Sequence, residues 1–126
     1  MYNVLILGSG GREHAIAWSI YNDTKINKLY CAPGNAGTSS ICQNIDLNIV
    51  DNKEILIFVE TNNINLIIIG PEQPLENGIV DFFREKNIDI FGPSKYASQL
   101  ETSKLFARYI MEKYNIPQPA FFECQS

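Results

Sequence analysis

The chain has 126 residues, 45% hydrophobic and 19% charged, with 10 basic against 14 acidic side chains and a net charge of −4. Length and composition fit one soluble globular domain that buries roughly two thirds of its unfolded surface. The acidic balance argues against a nucleic acid or an anionic membrane as partner, since either would favour a basic surface.

Residues 4–7 form a short, continuous apolar run, the pattern of a strand buried on both faces. The spacing of Ile16, Ala17, Ile20 and Tyr21 predicts a helix over 13–21. Residues 28–32 read as a second strand, stopped by Pro33-Gly34. A helix is expected over 51–61, with Asp51 as N-cap and Ile55, Phe58 and Val59 on one face. The run "LIII" at 66–69 is the strongest strand signal, and Gly70-Pro71 ends it. Residues 75–86 read as one helix presenting Leu75, Ile79, Phe82 and Phe83. A fourth strand over 88–91 ends at Gly92-Pro93.

Strands alternating with helices imply parallel strands joined by right-handed crossovers, with helices on both faces. The expected fold is an open, Rossmann-like α/β sheet, mostly parallel, with strand order 2-1-3-4. Beyond Pro93 a short helix is expected over 94–100. A longer one over 101–114 carries Leu105, Phe106, Tyr109, Ile110 and Lys113 near one face, with Thr102 or Ser103 at its start. Pro117 and Pro119 stop it, and "AFFECQS" reads as the start of a strand. Such an ending is expected of a chain cut before its next element. Residues 1–100 are therefore expected to form the α/β domain, and 101–126 a linker helix and the beginning of a further domain.

The apolar opening is broken at Gly8, well short of the roughly 20 apolar residues a membrane span needs, and no basic leader precedes it. Cys31, Cys42 and Cys124 form no C-x-x-C motif. With a single histidine, neither a zinc ribbon, a redox pair nor a His-rich metal site is expected. The cysteines read as small buried apolar residues in a reducing compartment, and the cytoplasm is the expected location.

Ligands of open parallel sheets bind beyond the carboxyl ends of the strands. Four small or rigid motifs fall there: Gly8-Ser9-Gly10-Gly11, Pro33-Gly34-Asn35-Ala36-Gly37-Thr38, Gly70-Pro71-Glu72 and Gly92-Pro93-Ser94. The first can cradle a phosphate with backbone N–H groups at a helix N-terminus, or can be a plain tight turn. It departs from a dinucleotide fingerprint, because Glu13 stands where the third glycine belongs and no acid follows the second strand. It is not a P-loop either. Arg12 could bond a phosphate or lie in solvent. Glu13 suits a first helical turn through the helix dipole. His14 reads as a structural histidine more readily than as a base. Asn35 and Thr38 offer short polar groups to a sugar or phosphate, Glu72 could take a sugar hydroxyl or an amine, and Lys104 alone reads as a solvated lysine.

The stretches "VLILGSGGREHAIAW", "APGNAGT", "IIIGPEQPLENGIVDFF" and "IFGPSKYASQLETSKLFARYIMEKYNIPQPAF" together resemble, in order and spacing, the N-terminal portion of the glycinamide ribonucleotide synthetase family. The resemblance runs from Val4 to about Phe122. It implies a pre-ATP-grasp domain of a purine-biosynthetic ligase that joins glycine to 5-phosphoribosylamine through an acyl phosphate, using ATP and magnesium. It also implies that residues 8–14, residues 33–38 and Glu72 hold substrate, with Gly10, Gly11, Asn35 and Glu72 foremost, and that Lys104 reaches the nucleotide's phosphates. ATP and Mg2+ would lie mostly in an ATP-grasp domain, of which 101–126 would be the beginning. No catalytic or metal-binding residue is assigned to this stretch. Family members are roughly three times longer, so this chain alone is expected to be inactive. The competing expectations are a stand-alone sugar-phosphate-binding module, an NAD-dependent oxidoreductase domain and, disfavoured by "GREHA" with "PGNAGT", a biotin-carboxylase-like protein.

Overall fold

The computed structural model describes residues 1–124. Its frame is set by β1 (Tyr2–Gly8), whose residues Val4–Leu7 are buried on both faces. A strand without a polar face is stable only with a neighbour on each edge and a layer on each side. β1 has both. It pairs in parallel with β2 (Ile26–Pro33) on one edge and with β4 (Leu66–Ile69) on the other. β5 (Asp89–Phe91) adds to β4, and β3 (Gln43–Asn44) adds to β2. The all-parallel order is β3-β2-β1-β4-β5. The expected order 2-1-3-4, in strands over 4–7, 28–32, 66–69 and 88–91, is the run β2-β1-β4-β5, and β3 extends it at the β2 edge.

The two-residue period of β1 divides the core. Leu5 and Leu7 face one side with Tyr30, Ala32, Ile67 and Ile69. There they meet Ile55 and Val59 of α2 (Asn52–Thr61) and Ile79, Val80 and Phe83 of α4 (Ile79–Arg84). Val4 and Ile6 face the other side with Cys31, under Ala17 of α1 (Gly11–Ile20). Asp51 caps α2 as expected: its carboxylate accepts from the N–H groups of Lys53, at 2.9 Å, and Glu54, at 3.1 Å.

Several boundaries differ from the sequence reading, each for a local reason. The helix expected over 75–86 is two: α3 (Glu72–Glu76) and α4. They part at Gly78, whose φ of 77° is left-handed and cannot continue a right-handed helix. The helix expected over 101–114 starts later, because α5 (Lys95–Thr102) takes Glu101 and Thr102. Ser103 is extended, and its hydroxyl accepts from the Phe106 N–H at 3.2 Å to cap α6 (Lys104–Lys113). β3 was unexpected: two polar residues on an edge strand carry no apolar signal. Residues 120–124 form no strand, and Gln125 and Ser126 lie outside the described residues. The tail instead lies along α6. Gln118 Nε2 donates to the Arg108 carbonyl at 3.1 Å, the Tyr109 hydroxyl bonds Glu123, and Phe121 meets Tyr109 edge to face at 6.0 Å. Among the described residues no helix is long and apolar enough to cross a membrane.

Phe83 is fully buried beneath the sheet, whereas Phe91 is 71% exposed. Phe83→Ala is expected to lower unfolding free energy by about 3–5 kcal/mol through lost burial and a residual cavity, and Phe91→Ala by less than about 1 kcal/mol. Urea unfolding of the two variants measures the difference.

Candidate functional site

The β1–α1 turn is built around one carboxylate. Gly8, with φ of 129°, turns the chain out of the sheet, and Gly10 is the N-cap of α1. Glu13 curls back, and its Oε2 accepts from the Gly10 N–H at 2.5 Å, the carboxylate half of a capping box. Its side chain is 4% exposed. A Cβ on Gly8 would stand 2.7 Å from the Glu13 side chain, and one on Gly70 would collide with its Oε1. The glycines that end β1 and β4 therefore leave room for a side chain of the protein itself.

The β2–β3 connection is held by Asn35. Its Oδ1 accepts from the N–H groups of Gly37 (2.8 Å) and Thr38 (3.0 Å). Its Nδ2 donates to the carbonyls of Ser9 (2.9 Å) and Gly10 (3.2 Å). Two donors and two acceptors are all that an amide has, so the side chain is fully engaged within the protein. Thr38 is buried. Its hydroxyl accepts from the Asn35 N–H at 2.7 Å and lies 2.8 Å from Asn44 Oδ1. The Gly34 N–H donates to the Gly8 carbonyl at 3.1 Å. His14 packs on Gly37, where a Cβ would come within 2.5 Å of its ring. These bonds lock the second loop against the first.

The third contribution comes from beyond β4. Arg12 Nη1 donates to the Gly70 carbonyl at 2.5 Å and pairs with Glu72 Oε1 at 3.3 Å. Both side chains keep solvent access, 62% and 44% exposed. Hydrogen bonding from a backbone N–H, then from Arg12, holds the Glu72 carboxyl below the usual range.

Residues 8–13 enclose a cleft of about 430 Å³ with Ile49, Pro71 and Glu72. Three of the four expected motifs thus converge through direct bonds, and Pro93 of the fourth lines an adjoining hollow shared with Arg12 and Glu72. Gly8, Ser9, Gly10, Gly11, Arg12, Glu13 and Glu72 line the cleft. Pro33, Gly34, Asn35, Ala36, Gly37 and Thr38 do not; through Gly34 and Asn35 their loop is bonded to the carbonyls of Gly8, Ser9 and Gly10. His14 lies with Gly11, Ala15 and Trp18 on a separate apolar surface of α1. Lys104 lines another hollow with Arg108 and the 121–124 segment, and not the cleft. Ile49 escaped the sequence reading, since an aliphatic residue in a connection carries no chemical signal.

The cysteines divide. Cys31 is buried, and burial, then the neighbouring Cys42, pushes its thiol up to about 11. A raised pKa keeps a thiol protonated and unreactive, as expected of a structural residue. Cys42 is half-buried, and burial raises it too. Cys124 is exposed, against expectation, because its segment lies on the surface of α6.

A carboxyl held low in the folded state stabilises the fold above its unfolded pKa. That stability is lost as the pH falls through the folded value. Glu72 starts from an ordinary value of 4.5. Glu72→Gln is therefore expected to lower the melting temperature above that pH and to flatten its fall in acid, read by circular dichroism between about pH 3 and 7.

Residues 2–101 match the family model described as phosphoribosylglycinamide synthetase, N domain. A phosphoribosylamine–glycine ligase of Clostridium acetobutylicum is 47% identical over 115 residues, which are 90% of this chain and 27% of that protein. The crystal structure of phosphoribosylamine–glycine ligase from Thermotoga maritima superposes with a TM-score of 0.65 at 34% identity, covering 90% of this chain and 25% of that one. N5-carboxyaminoimidazole ribonucleotide synthetase from Thermus thermophilus shares the fold, with a TM-score of 0.69 at 18% identity over 92% of this chain and 31% of that one. The chain spans about a quarter of the length of the curated relatives it matches. The matched residues run from β1 into α5 and include every loop that builds or braces the cleft, so the chain belongs to the phosphoribosylglycinamide synthetase N-domain family.

Proposed function

We propose that this chain is the substrate-holding N-terminal part of a phosphoribosylamine–glycine ligase. The ligase phosphorylates the glycine carboxylate with ATP. The amine of 5-phosphoribosylamine then attacks the acyl phosphate, phosphate leaves, and the amide forms. The observation that carries the reading is the 430 Å³ cleft, in which a helix N-terminus, an accessible guanidinium and a carboxylate face one space. The N–H groups of Gly11 and Arg12 stand in the first turn of α1, where no intrahelical acceptor exists. They and the Arg12 guanidinium suit the phosphate of phosphoribosylamine. Glu72 suits a ribose hydroxyl or the amine. Asn35, Thr38 and His14 act on substrate indirectly, by holding the loops in place.

ATP and magnesium belong, in this reading, chiefly to the part of the relatives that this chain does not span. Among the described residues no three His, Cys, Asp or Glu side chains gather as metal ligands. No magnesium ligand is assigned to these residues, and no step is routed through the ion. Lys104 is proposed to reach the nucleotide's phosphates from its place at the start of α6, apart from the cleft. The family model ends at residue 101, and α6 buries none of its residues, which supports reading 101–126 as the start of the next domain.

Ribose 5-phosphate carries the phosphate and hydroxyls of the substrate without its labile amine. Its titration is expected to shift the backbone amide resonances of Gly8–Arg12 and Glu72, and unmoved resonances there overturn the reading. Arg12→Ala is expected to weaken that binding about tenfold or more, the worth of one charge-assisted hydrogen bond. Incubated with glycine, ATP, Mg2+ and phosphoribosylamine, the 126-residue chain alone is expected to form no amide; product above the blank refutes the assignment of catalysis to the part of the relatives that these residues do not span.

A further inference from the structure

Among the described residues Glu13 is the one buried charged side chain, and the reading above gives it no contact with substrate. Its position is informative. In the order β3-β2-β1-β4-β5 the chain leaves β1 toward β2 on one side and returns to β4 on the other. The carboxyl ends of β1 and β4 therefore flank the switch-point crevice, where an open α/β sheet receives a ligand and a dinucleotide-binding domain lays its diphosphate. Gly8 ends β1, and Gly70 follows β4. The Glu13 carboxylate lies between them, so close to both that neither glycine could carry a Cβ. It also takes the Gly10 N–H, at 2.5 Å, a donor that an anion at this helix N-terminus would otherwise use.

We propose that Glu13 is a specificity-determining residue: its carboxylate fills the switch-point crevice as a built-in anion, bars a diphosphate from the start of α1, and confines the cleft to a single phosphate on its outer side. Exclusion works by occupied space, by the donor already taken, and by like charge. The glycine-rich turn stands at a strand end and a helix N-terminus, as a phosphate-binding loop does, but supplies its own anion. A larger ligand must lie above Glu13, against Arg12, Pro71 and Glu72, where the cleft is open.

The identity of the single phosphate rests on the phosphoribosylamine reading, and the two are tested by separate ligands. Amide resonances of the 126-residue chain are followed with millimolar ADP-ribose as the diphosphate probe and with ribose 5-phosphate as the single-phosphate probe. The wild type is expected to show no ADP-ribose shifts at Gly10 or Gly70. Glu13→Gly, which opens the crevice, is expected to bind ADP-ribose at least tenfold more tightly, with new shifts at both positions. Glu13→Gln keeps the shape and accepts the same N–H, so it is expected to go on excluding ADP-ribose. Shifts at Gly10 and Gly70 in the wild type overturn the proposal, as does a folded Glu13→Gly that gains no affinity. Should Glu13→Gly fail to fold, the wild type and Glu13→Gln decide: exclusion by both supports the plug, and entry of ADP-ribose into either refutes it. Failure of ribose 5-phosphate to shift residues 8–12 overturns the phosphoribosyl reading alone and leaves the ADP-ribose result standing.

Discussion

The structure depends on the burial of Val4–Leu7 on both faces of β1. A strand with no polar side must be central, and a central parallel strand needs crossovers that lay helices over both its faces. From that constraint follow β2 and β4 on its two edges, α1 on one face, and α2 with α4 on the other. The carboxyl ends of β1, β2 and β4 then emerge side by side. Three loops far apart in sequence become neighbours because one strand cannot tolerate water.

Once adjacent, the loops satisfy one another before any ligand arrives. Asn35 joins the second loop to the carbonyls of Ser9 and Gly10, and Arg12 joins the first to the carbonyl of Gly70. Glu13 caps its own helix from inside the crevice. Backbone groups in such turns would otherwise be left without partners. The result is a cleft whose walls are already ordered, so that a ligand need not bear the entropic cost of ordering them. The glycines at 8 and 70 serve a side chain of this protein as directly as they would serve a bound phosphate.

Much of this was legible in the sequence, and the limits are instructive. The run at 66–69 and the 4–7 run were readable because burial on both faces leaves an unbroken apolar stretch. Asp51 was readable as a cap because its carboxylate acts on N–H groups two and three residues away. β3 was not, because Gln43 and Asn44 pair only through their backbone to a strand a dozen residues earlier. The break at Gly78 was hidden inside a helix-like pattern, since apolar spacing is blind to the sign of φ. Among the site residues, the sequence marked Gly8–Glu13 and Glu72 together, and the cleft gathers them. It marked Asn35 and Thr38 equally, yet both spend their polar groups on the protein itself.

What the sequence by itself determined is the alternation of elements, the central place of β1 and the gathering of glycine-rich turns at one edge. Those rest on local periodicity and on turn chemistry, which act over a few residues. Only the tertiary structure decided which polar side chains face the cleft and which are consumed in building it. Asparagine, glutamate and arginine read alike along the chain. Asn35, Glu13 and Arg12 differ because their partners, at Ser9, at the Gly8–Gly70 crevice and at Glu72, are set by how β1, β2 and β4 come together.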